Sequence, residues 1–369
     1  MESIDIAVED LRDWLEAGRP VVVLDIRPEM ERREWSIPGS VHADIYDALR
    51  LNRPSTLDTL SLPSDQPVVA VCAMGRTSLL AVEALRRRGV TALSLTGGMR
   101  AWSLAWNIAE MTLPGSETAI LQIRRTGKGC LSYVVASEGQ ALVVDPCVDP
   151  AIYMKIARDR GLKITHILDT HVHADHLSRA RMLAVATGAQ VCLPDQKRVS
   201  YSFHPLQDRD VLRIGSAEVE VLSTPGHTME SACYYVDGRA LLTGDTLFPA
   251  AVGRPDLAAS VDQARERANA LHRSLQSLNE LPAETWILAG HTSEPIPFDG
   301  RVIGAPLSLV RENVQGLGEA RETFVERLLA RIPPNPPNHL EIVRLNESGH
   351  FPEGDPTELE AGANRCAVS

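Results

Sequence analysis

Three histidines and two aspartates stand within the nine residues LDTHVHADH, at positions 168–176. The stretch ends an apolar run that is typical of a buried strand. We predict that His171, His173, Asp175 and His176 lie in the loop after this strand, where their side chains can converge on one point. Imidazole and carboxylate groups are common ligands of zinc and iron, so the pattern indicates a metal site.

Three further candidate ligands each follow an apolar strand later in the chain. They are His227 in STPGHT, Asp245 in LLTGDT and His291 in ILAGHT. Layered α/β folds build their sites from residues at the ends of strands. We therefore expect these three residues to join the first four in one site.

A different chemistry is indicated near the start of the chain, where VCAMGRTS places Cys72 between an apolar strand and a helix. Backbone N–H groups of such a loop, together with the helix N-terminus, stabilise an anion and so favour a thiolate. A thiolate is a nucleophile, and the same cradle can hold a persulfide or the oxygens of a sulfur donor.

Composition limits the classes of function. The 369 residues carry a formal net charge of -11, which disfavours nucleic acid as a partner because phosphate contacts need clustered basic residues. No apolar stretch approaches the ~20 residues of a membrane span, and the acidic start is unlike a signal peptide, so we expect no membrane association and a cytoplasmic location. The six cysteines form no C-x-x-C pair, and we expect no disulfide framework.

Strand and helix patterns divide the chain into two α/β domains. Residues 1–113 alternate apolar runs with helical patterns, which predicts a parallel sheet covered on both faces. The boundary is placed at residues 112–117, where periodicity lapses into Pro, Gly, Ser and Thr. Residues 118–346 combine short strands with helices at 149–160, 176–187 and 260–280, which predicts a layered fold with two sheets. The acidic segment 347–369 is predicted to be a mobile tail.

The first domain resembles a rhodanese sulfurtransferase domain over about residues 1–110. The motifs LDIRPE, IPGSVHADI, VCAMGRTS and LTGGMRAW occur in the order and spacing of that family. The resemblance implies that Cys72 is the catalytic nucleophile and carries sulfane sulfur, taken from thiosulfate or a polysulfide, as a persulfide. It also implies that the cradle around this sulfur consists of Ala73, Met74, Gly75, Arg76 and Thr77. Thr77 stands where many single-domain members have arginine. Asp25 and Arg27 are interpreted as a structural charge pair.

The second domain resembles the metallo-β-lactamase fold superfamily over about residues 118–300. Its signature H-x-H-x-D-H, with a later His, Asp and His, is complete here, and Asp145 matches a carboxylate that supports the site. The resemblance implies a four-layer αββα fold but leaves the metal open. Two zinc ions bridged by Asp245 would use all seven groups for hydrolysis. Alternatively, His171, His227 and Asp245 would hold one iron(II) ion, with His173, Asp175, His176 and His291 as supporting groups.

The segment LTGDTLFPAAVGRPDL favours iron, because it resembles the persulfide dioxygenase branch of the superfamily. By this resemblance Arg254 and Asp256 bind the substrate and Asp175 takes part in catalysis. The reaction implied is oxidation of a small thiol persulfide by O2 to sulfite and free thiol, with one Fe(II) per chain. Glutathione persulfide is the first choice of substrate, although Ser293 replaces a tyrosine found in members that use glutathione. Fusion to a sulfur-transfer domain would supply the reactive persulfide locally.

Two other functions fit the same residues. One is a dinuclear zinc thioester hydrolase of the glyoxalase II type, and the other is a non-catalytic sulfur carrier or sensor. Homodimers are common in the resembled family, but no motif here requires one. The cysteines other than Cys72 are interpreted as packing or surface residues.

Overall fold

The first sheet is built from short apolar strands separated by helices, as predicted. In the computed structural model, which describes residues 3–51, 53, 57, 60–63, 65–360 and 365–368, its five parallel strands lie in the order β1-β5-β4-β2-β3. The strands are β1 (Asp5–Ile6), β2 (Val22–Asp25), β3 (Val41–His42), β4 (Val68–Val71) and β5 (Ala92–Leu95). The helices are α1 (Val8–Glu16), α2 (Glu29–Glu34), α3 (Tyr46–Arg50), α4 (Thr77–Arg87) and α5 (Gly98–Trp102).

Both faces of this sheet are buried, which explains why its central strand is apolar throughout. Along β4, Val68 and Ala70 pack with α3 and α4, whereas Val69 and Val71 pack with α1 and α5. Successive side chains of a strand point to opposite faces, so an uninterrupted apolar run marks a strand covered on both sides. The prediction of a parallel sheet with helices on both faces is confirmed.

The second domain contains two larger sheets. The seven-stranded sheet has the order β12-β11-β10-β9-β8-β7-β6, and the six-stranded sheet has the order β13-β14-β15-β16-β18-β19. The strands of the first are β6 (Asn107–Thr112), β7 (Ala119–Arg124), β8 (Leu131–Ser137), β9 (Gln140–Val144), β10 (Lys163–Leu168), β11 (Gln190–Pro194) and β12 (His204–Leu206). The second comprises β13 (Val211–Ile214), β14 (Ala217–Ser223), β15 (Ala232–Val236), β16 (Ala240–Gly244), β18 (Trp286–Ala289) and β19 (Ala305–Pro306). A separate pair consists of β17 (Val252–Gly253) and β20 (Ala367–Val368).

Alternation of side chains along these strands produces four layers. In β8, Tyr133 and Val135 face a core shared with the other sheet, whereas Val134 packs toward α6 (Pro150–Asp159) and α7 (Ala180–Thr187). The outer face of the six-stranded sheet is covered by α8 (Val261–Leu278), α9 (Leu307–Asn313) and α10 (Arg321–Ala330). The last helix is α11 (His339–Ser348). The predicted αββα architecture is confirmed.

The strand directions bring the candidate ligands to common sheet edges. Strands β9 and β10 are parallel and end before Asp145 and the 168–176 loop. Strands β14, β16 and β18 also share one direction, and they end before His227, Asp245 and His291. The residues that follow these strands can therefore meet between the two sheets.

The domain boundary lies earlier than the sequence predicted. Strand β6 pairs with β7 along its whole length, from Asn107 opposite Arg124 to Thr112 opposite Ala119. Residues 107–112 therefore belong to the seven-stranded sheet and not to the first domain. The Pro and Gly residues that suggested a boundary at 112–117 form the turn between two paired strands.

The predicted mobile tail is anchored to the second domain through several buried residues, among them Thr357, Glu360, Cys366 and Val368. Glu360 is completely buried, and β20 pairs with β17 through Val368 opposite Val252. Acidic composition suggested an exposed segment, but Glu360 lies against two buried arginines, Arg125 and Arg179. Within the described ranges, no helix is both long enough and apolar enough to cross a membrane.

Candidate metal centre and sulfur-transfer cysteine

A short chain of hydrogen bonds fixes the orientation of His171. The Asp145 carboxylate accepts from the Thr170 backbone N–H at 2.7 Å and from the Thr170 hydroxyl at 2.9 Å. Because that hydroxyl donates its one proton to Asp145, it accepts from Nδ1–H of His171, which lies 2.9 Å away. The second ring nitrogen, Nε2, is left with its lone pair available to a ligand.

His227 is oriented in the same way by a backbone carbonyl. Its Nδ1 donates to the carbonyl oxygen of Arg254 at 2.8 Å, which again leaves Nε2 free. Metal-binding histidines usually donate their other N–H to a carbonyl or carboxylate in this manner. The two Nε2 atoms, of His171 and His227, lie 3.8 and 3.6 Å from Oδ2 of Asp245. Both distances are shorter than two metal–ligand bonds of about 2.1 Å placed end to end.

The three groups have the charges that a cation site requires. Burial lowers the pKa of His171 and of His227, so both rings are neutral and can donate a lone pair. Burial alone would raise the pKa of Asp245, but the neighbouring histidines, led by His291, hold it below its usual range. The set therefore offers two imidazoles and one carboxylate around a common point.

Unpaired buried atoms support a metal at this position. Nε2 of His171, His176 and His291 is buried in each case without a hydrogen-bond partner among the described residues. Leaving a buried polar atom unpaired costs about 1–3 kcal/mol each. Metal coordination would satisfy the Nε2 lone pair of His171, which belongs to the three-residue set, so these side chains fit the ions that this fold binds, iron or zinc.

His173 is turned away from the three-residue set. Its Nε2 donates to Asp145 Oδ1 at 3.1 Å and lies 3.7 Å from Asp169 Oδ1. Burial alone would lower the pKa of His173, but Asp145 and Asp169 raise it well above its usual range. His173 therefore groups with Asp145 and Asp169 and lies outside the three-residue set, which makes it a supporting group.

The remaining predicted ligands form a second cluster beside the first. Asp175 accepts from His176 Nδ1 at 2.9 Å and from the Cys130 thiol at 3.4 Å. Burial alone would lower the pKa of His176, but Asp175 raises it to about 9. His291 Nδ1 lies 2.9 Å from Asp245 Oδ1. All seven predicted residues are thus gathered in one region, with Asp245 lying between the two clusters.

Two glycines permit the close approach of the strand ends. A Cβ on Gly290 would lie 2.8 Å from Asp245 Oδ1, and a Cβ on Gly253 would lie 1.9 Å from the Asp245 carbonyl oxygen. Larger residues at these positions would displace Asp245 or the strand that holds it. The glycines therefore belong to the framework of the site.

Arg254 does not face a substrate, contrary to the sequence prediction. Its side chain is fully buried, and Asp256 accepts from Nε and Nη2 at 2.8 Å each. The other N–H groups donate to Asn335 and to the carbonyl oxygens of Pro334 and Arg365. All five donors are used within the protein, so Arg254 and Asp256 form a structural ion pair, and Arg254 orients His227 through its carbonyl.

Cys72 lies in the predicted loop, buried at the end of β4. The backbone N–H of Gly75 donates to Cys72 Sγ at 3.1 Å, and the Ser78 hydroxyl lies 3.4 Å from the same sulfur. Helix α5 also stabilises the loop, because the Met99 backbone N–H donates to the Cys72 carbonyl oxygen at 2.9 Å. Of the predicted cradle, residues 73–77, Gly75 is the member whose N–H contacts the sulfur; Thr77 begins α4.

A cavity of about 480 Å³ opens over this loop between the two domains. Ala73 and Met74 of the loop form one wall, and Gly127 of the second domain forms another. Charged side chains of both signs line this cavity, with Arg27 and Arg100 beside Glu31, Glu34 and Glu358. Arg27 is also paired with Asp25 at 2.8 Å, as the sequence predicted.

Several residues at the metal centre were missed by sequence reasoning. Asn346 of α11 donates to the carbonyl oxygens of His173 and His176 at 2.9 Å each, and so fixes the shape of the loop. Cys130 contacts Asp175, and Cys366 lies beside Asp245 and His291. None of these has a ligand-like neighbour in the sequence, so no spacing rule could have identified them.

Comparison with protein families agrees with this division of the chain. Residues 7–105 match the rhodanese-like domain, and residues 125–291 match the metallo-beta-lactamase superfamily. The chain therefore carries a rhodanese-like domain followed by a metallo-beta-lactamase superfamily domain, and both are families of enzymes.

Individual relatives match the second part of the chain. Hydroxyacylglutathione hydrolase of Methylobacillus flagellatus is 37% identical over 161 residues, which are 43% of this chain and 60% of that protein. The enzyme of the same name from Rhodospirillum rubrum is 34% identical over 42% of this chain and 57% of its own length. The chain thus spans about three fifths of the length of these relatives.

Two solved structures share the fold. ETHE1 from Myxococcus xanthus has a TM-score of 0.55 and 28% identity, and the match covers 63% of this chain and 99% of that chain. A metallo-beta-lactamase from Staphylococcus aureus subsp. aureus COL has a TM-score of 0.58 and 25% identity, covering 65% of this chain and 74% of that chain.

Proposed function

We propose that this protein is a persulfide dioxygenase joined to a sulfurtransferase domain. The second domain would oxidise a small thiol persulfide, glutathione persulfide in the first instance, with O2 to sulfite. The proposal rests on a difference between the histidines in what their Nε2 atoms contact. His171 and His227 present free Nε2 atoms to Asp245, whereas His173 is hydrogen-bonded to Asp145.

This arrangement favours one metal ion over two. A dinuclear zinc site would need His173 as a ligand, but its ring lies in a separate group with Asp145 and Asp169, outside the set of two imidazoles and one carboxylate. His171, His227 and Asp245 would hold an iron(II) ion, which would supply the redox chemistry for oxidation of a persulfide by O2. The overall reaction consumes one persulfide, one O2 and one water, and it yields sulfite, the free thiol and two protons.

The second cluster would handle those protons. Asp175 and His176 are hydrogen-bonded to each other beside the ligand set, and the pKa of His176 is raised to about 9. The pair can hold a proton at His176 Nδ1 near neutral pH. Asp145 would keep His171 in the tautomer that exposes Nε2, acting through Thr170.

Cys72 would carry the sulfane sulfur in the first domain. The Gly75 N–H that contacts its sulfur would stabilise the Cys72 thiolate, which would attack the sulfane sulfur of thiosulfate or a polysulfide and release sulfite or the shortened polysulfide. The cavity over the loop would admit that donor and the thiol that accepts the sulfur. The persulfide made there is the substrate class of the second domain.

Zinc-dependent thioester hydrolysis is the second candidate. It is favoured by the relatives named hydroxyacylglutathione hydrolase, at 37% and 34% identity, and by the presence of all seven superfamily ligands. The hydrolase alternative gives Cys72 no part in the reaction.

Metal analysis combined with an oxygen electrode tests the proposal. Purified protein is expected to contain one iron per chain and to consume O2 when glutathione persulfide is added. Asp245→Ala should stop O2 consumption, whereas Cys72→Ser should retain it and lose only sulfur transfer. His204→Ala, which alters an exposed histidine on β12, is the matched control for loss of a histidine elsewhere.

Two results would contradict the proposal. Two zinc ions per chain, with turnover of S-lactoylglutathione in the absence of O2, would select the hydrolase. Loss of all O2 consumption in Cys72→Ser would show that the two sites are not independent.

A further inference from the structure

The described C-terminal residues 365–368, here termed the strap, lie against the metal centre. Strap residues Ala367 and Val368 form β20, which pairs with β17. Arg254 holds the strap through two hydrogen bonds. Its backbone N–H donates to the Cys366 carbonyl oxygen at 2.9 Å, and its guanidinium donates to the Arg365 carbonyl oxygen at 3.0 Å. Since the Arg254 carbonyl also orients His227, one residue connects the strap to a predicted metal ligand.

The strap buries one sulfur atom inside the site. Cys366 is 1% exposed and packs against Val172 and Ala174, which alternate with the histidines of the 168–176 loop. Its Sγ, one ring nitrogen of His291 and one carboxylate oxygen of Asp245 all lie within 4.8 Å of one another. Zinc–sulfur and zinc–nitrogen bonds together span roughly 4.3 Å, so small side-chain shifts would let all three atoms reach one ion.

The histidine of this group has one ring nitrogen without a partner. His291 Nδ1–H donates to Asp245 Oδ1 at 2.9 Å, and Nε2 of His291 is buried without a partner among the described residues. His291 itself is 3% exposed, so water from bulk solvent does not reach the ring freely. A nitrogen, a carboxylate oxygen and a thiol converging in a dry pocket form a ligand set typical of zinc and of other thiophilic metals.

We propose that Cys366 of the strap binds the metal ion as a thiolate ligand, together with Asp245 and His291. A sulfur atom of the protein itself would then complete the metal centre. This inference rests on the metal centre of the proposed function. Coordination breaks the S–H bond, forms a sulfur–metal bond and releases the proton to solvent. No oxidant or reductant is needed. A substrate sulfur would have to displace the strap or bind opposite it.

Cobalt substitution of the full chain provides a direct test. Cobalt(II) bound by a thiolate shows an intense sulfur-to-metal charge-transfer band in the near ultraviolet, whereas cobalt held by nitrogen and oxygen alone shows only weak visible bands. We expect the charge-transfer band in the wild-type protein and its loss in Cys366→Ser. Cys192→Ser and Cys72→Ser are the matched controls and should keep the band, because both cysteines are buried and neither belongs to a candidate ligand group among the described residues.

The outcomes separate this inference from the proposed function. Visible cobalt bands without a charge-transfer band, or a band that survives in Cys366→Ser, would overturn the role of Cys366 and leave the metal centre in place. Failure of the chain to bind cobalt would overturn both. Chelator competition should show that Cys366→Ser weakens metal binding by at least the roughly 10- to 100-fold that loss of supporting partners costs.

Alkylation of the wild-type protein gives a second measurement that needs no variant. Cys366 should react slowly with a maleimide in the metal-loaded chain and at least about tenfold faster after chelation, because a coordinated thiolate is not free to attack. Cys192, buried on β11 away from the ligand set, should react at one rate in both states. Equal rates for Cys366 with and without metal would contradict the proposal.

Discussion

The carboxylate of Glu360 and the guanidinium of Arg125 form an ion pair at 2.9 Å, and both side chains are completely buried. Arg179 binds the same carboxylate from another side, with Nη2 3.0 Å from Oε2. The Leu177 backbone N–H donates to Glu360 Oε1 at 2.7 Å, directly after the histidine loop. One residue of the C-terminal segment therefore joins the end of the metal-binding loop to two cations of the second domain.

Glu360→Gln should destabilise the second domain by about 3–5 kcal/mol, because it leaves two buried arginines without their counter-charge. Chemical unfolding followed by circular dichroism would measure the loss. Glu358→Gln is the matched control, since Glu358 is 74% exposed where it pairs with Arg100, and such surface pairs contribute about 0–1 kcal/mol. Equal effects of the two substitutions would show that burial of Glu360 is unimportant.

The stabilisation from Glu360 should depend on pH in a defined direction. Burial alone would raise its pKa, but Arg125 and Arg179 hold it well below the usual range. A carboxyl whose folded pKa is depressed contributes fully above its unfolded pKa of about 4.3 and loses that contribution as pH falls toward the folded value. The difference in unfolding free energy between wild type and Glu360→Gln should therefore be constant from pH 7 to about 5 and shrink below about pH 4. A difference that grows on acidification would contradict this assignment.

The contrast between Glu360 and its sequence setting shows what composition could not predict. Acidic residues and glycines near the C-terminus are typical of exposed tails. Composition therefore gave no sign that the Glu360 carboxylate is buried, because its partners, Arg125 and Arg179, lie about 180 residues or more earlier in the chain. Cys366 was missed for the same reason, because a single cysteine without ligand spacing has no pattern. The burial of Glu360 and the position of Cys366 both depend on contacts between segments that are distant in the sequence, and a local motif does not contain that information.

Asp145→Asn should weaken metal binding roughly 10- to 100-fold without removing any direct ligand. The amide would replace one acceptor oxygen by a donor, so the bonds that orient Thr170 and His173 cannot all form. Chelator competition would measure the affinity. Asp149→Asn is the control, because Asp149 caps α6 at an exposed position and should leave metal affinity unchanged. A wild-type affinity in Asp145→Asn would remove Asp145 from the site's framework.

The number of metal ions can be tested by comparing two histidines in the same loop. If one iron is bound, His171→Ala should lose it, whereas His173→Ala should retain most of it because His173 bonds to Asp145. If two zinc ions are bound, both substitutions should reduce the metal content. Elemental analysis of protein produced under identical conditions distinguishes the two cases.

Sequence motifs predicted the convergence of the ligands better than their individual roles. All seven residues follow apolar strands, and strands that run in one direction end at one edge, so their meeting could be predicted. The direction of each side chain within a loop is set by hydrogen bonds, as for His173 with Asp145. Arg254 was assigned to substrate on resemblance alone, and its five internal hydrogen bonds could not be read from the sequence.

Gly75→Ala should reduce sulfur transfer by Cys72 roughly 100-fold, the scale expected when a reacting group is displaced by about 1 Å. Gly75 has φ +76°, and a Cβ there would lie 2.7 Å from the backbone nitrogen of Gly97, so the loop must shift and carry its N–H away from Cys72 Sγ. Gly89→Ala is the matched control, because Gly89 has φ +80° with no atom within 4 Å of its Cβ position. It should cost only the ~1–2 kcal/mol of a left-handed backbone and leave sulfur transfer unchanged. Thiocyanate formation from thiosulfate and cyanide measures the transfer, and equal losses in both variants would mean that backbone strain, not the Gly75 contact, controls Cys72.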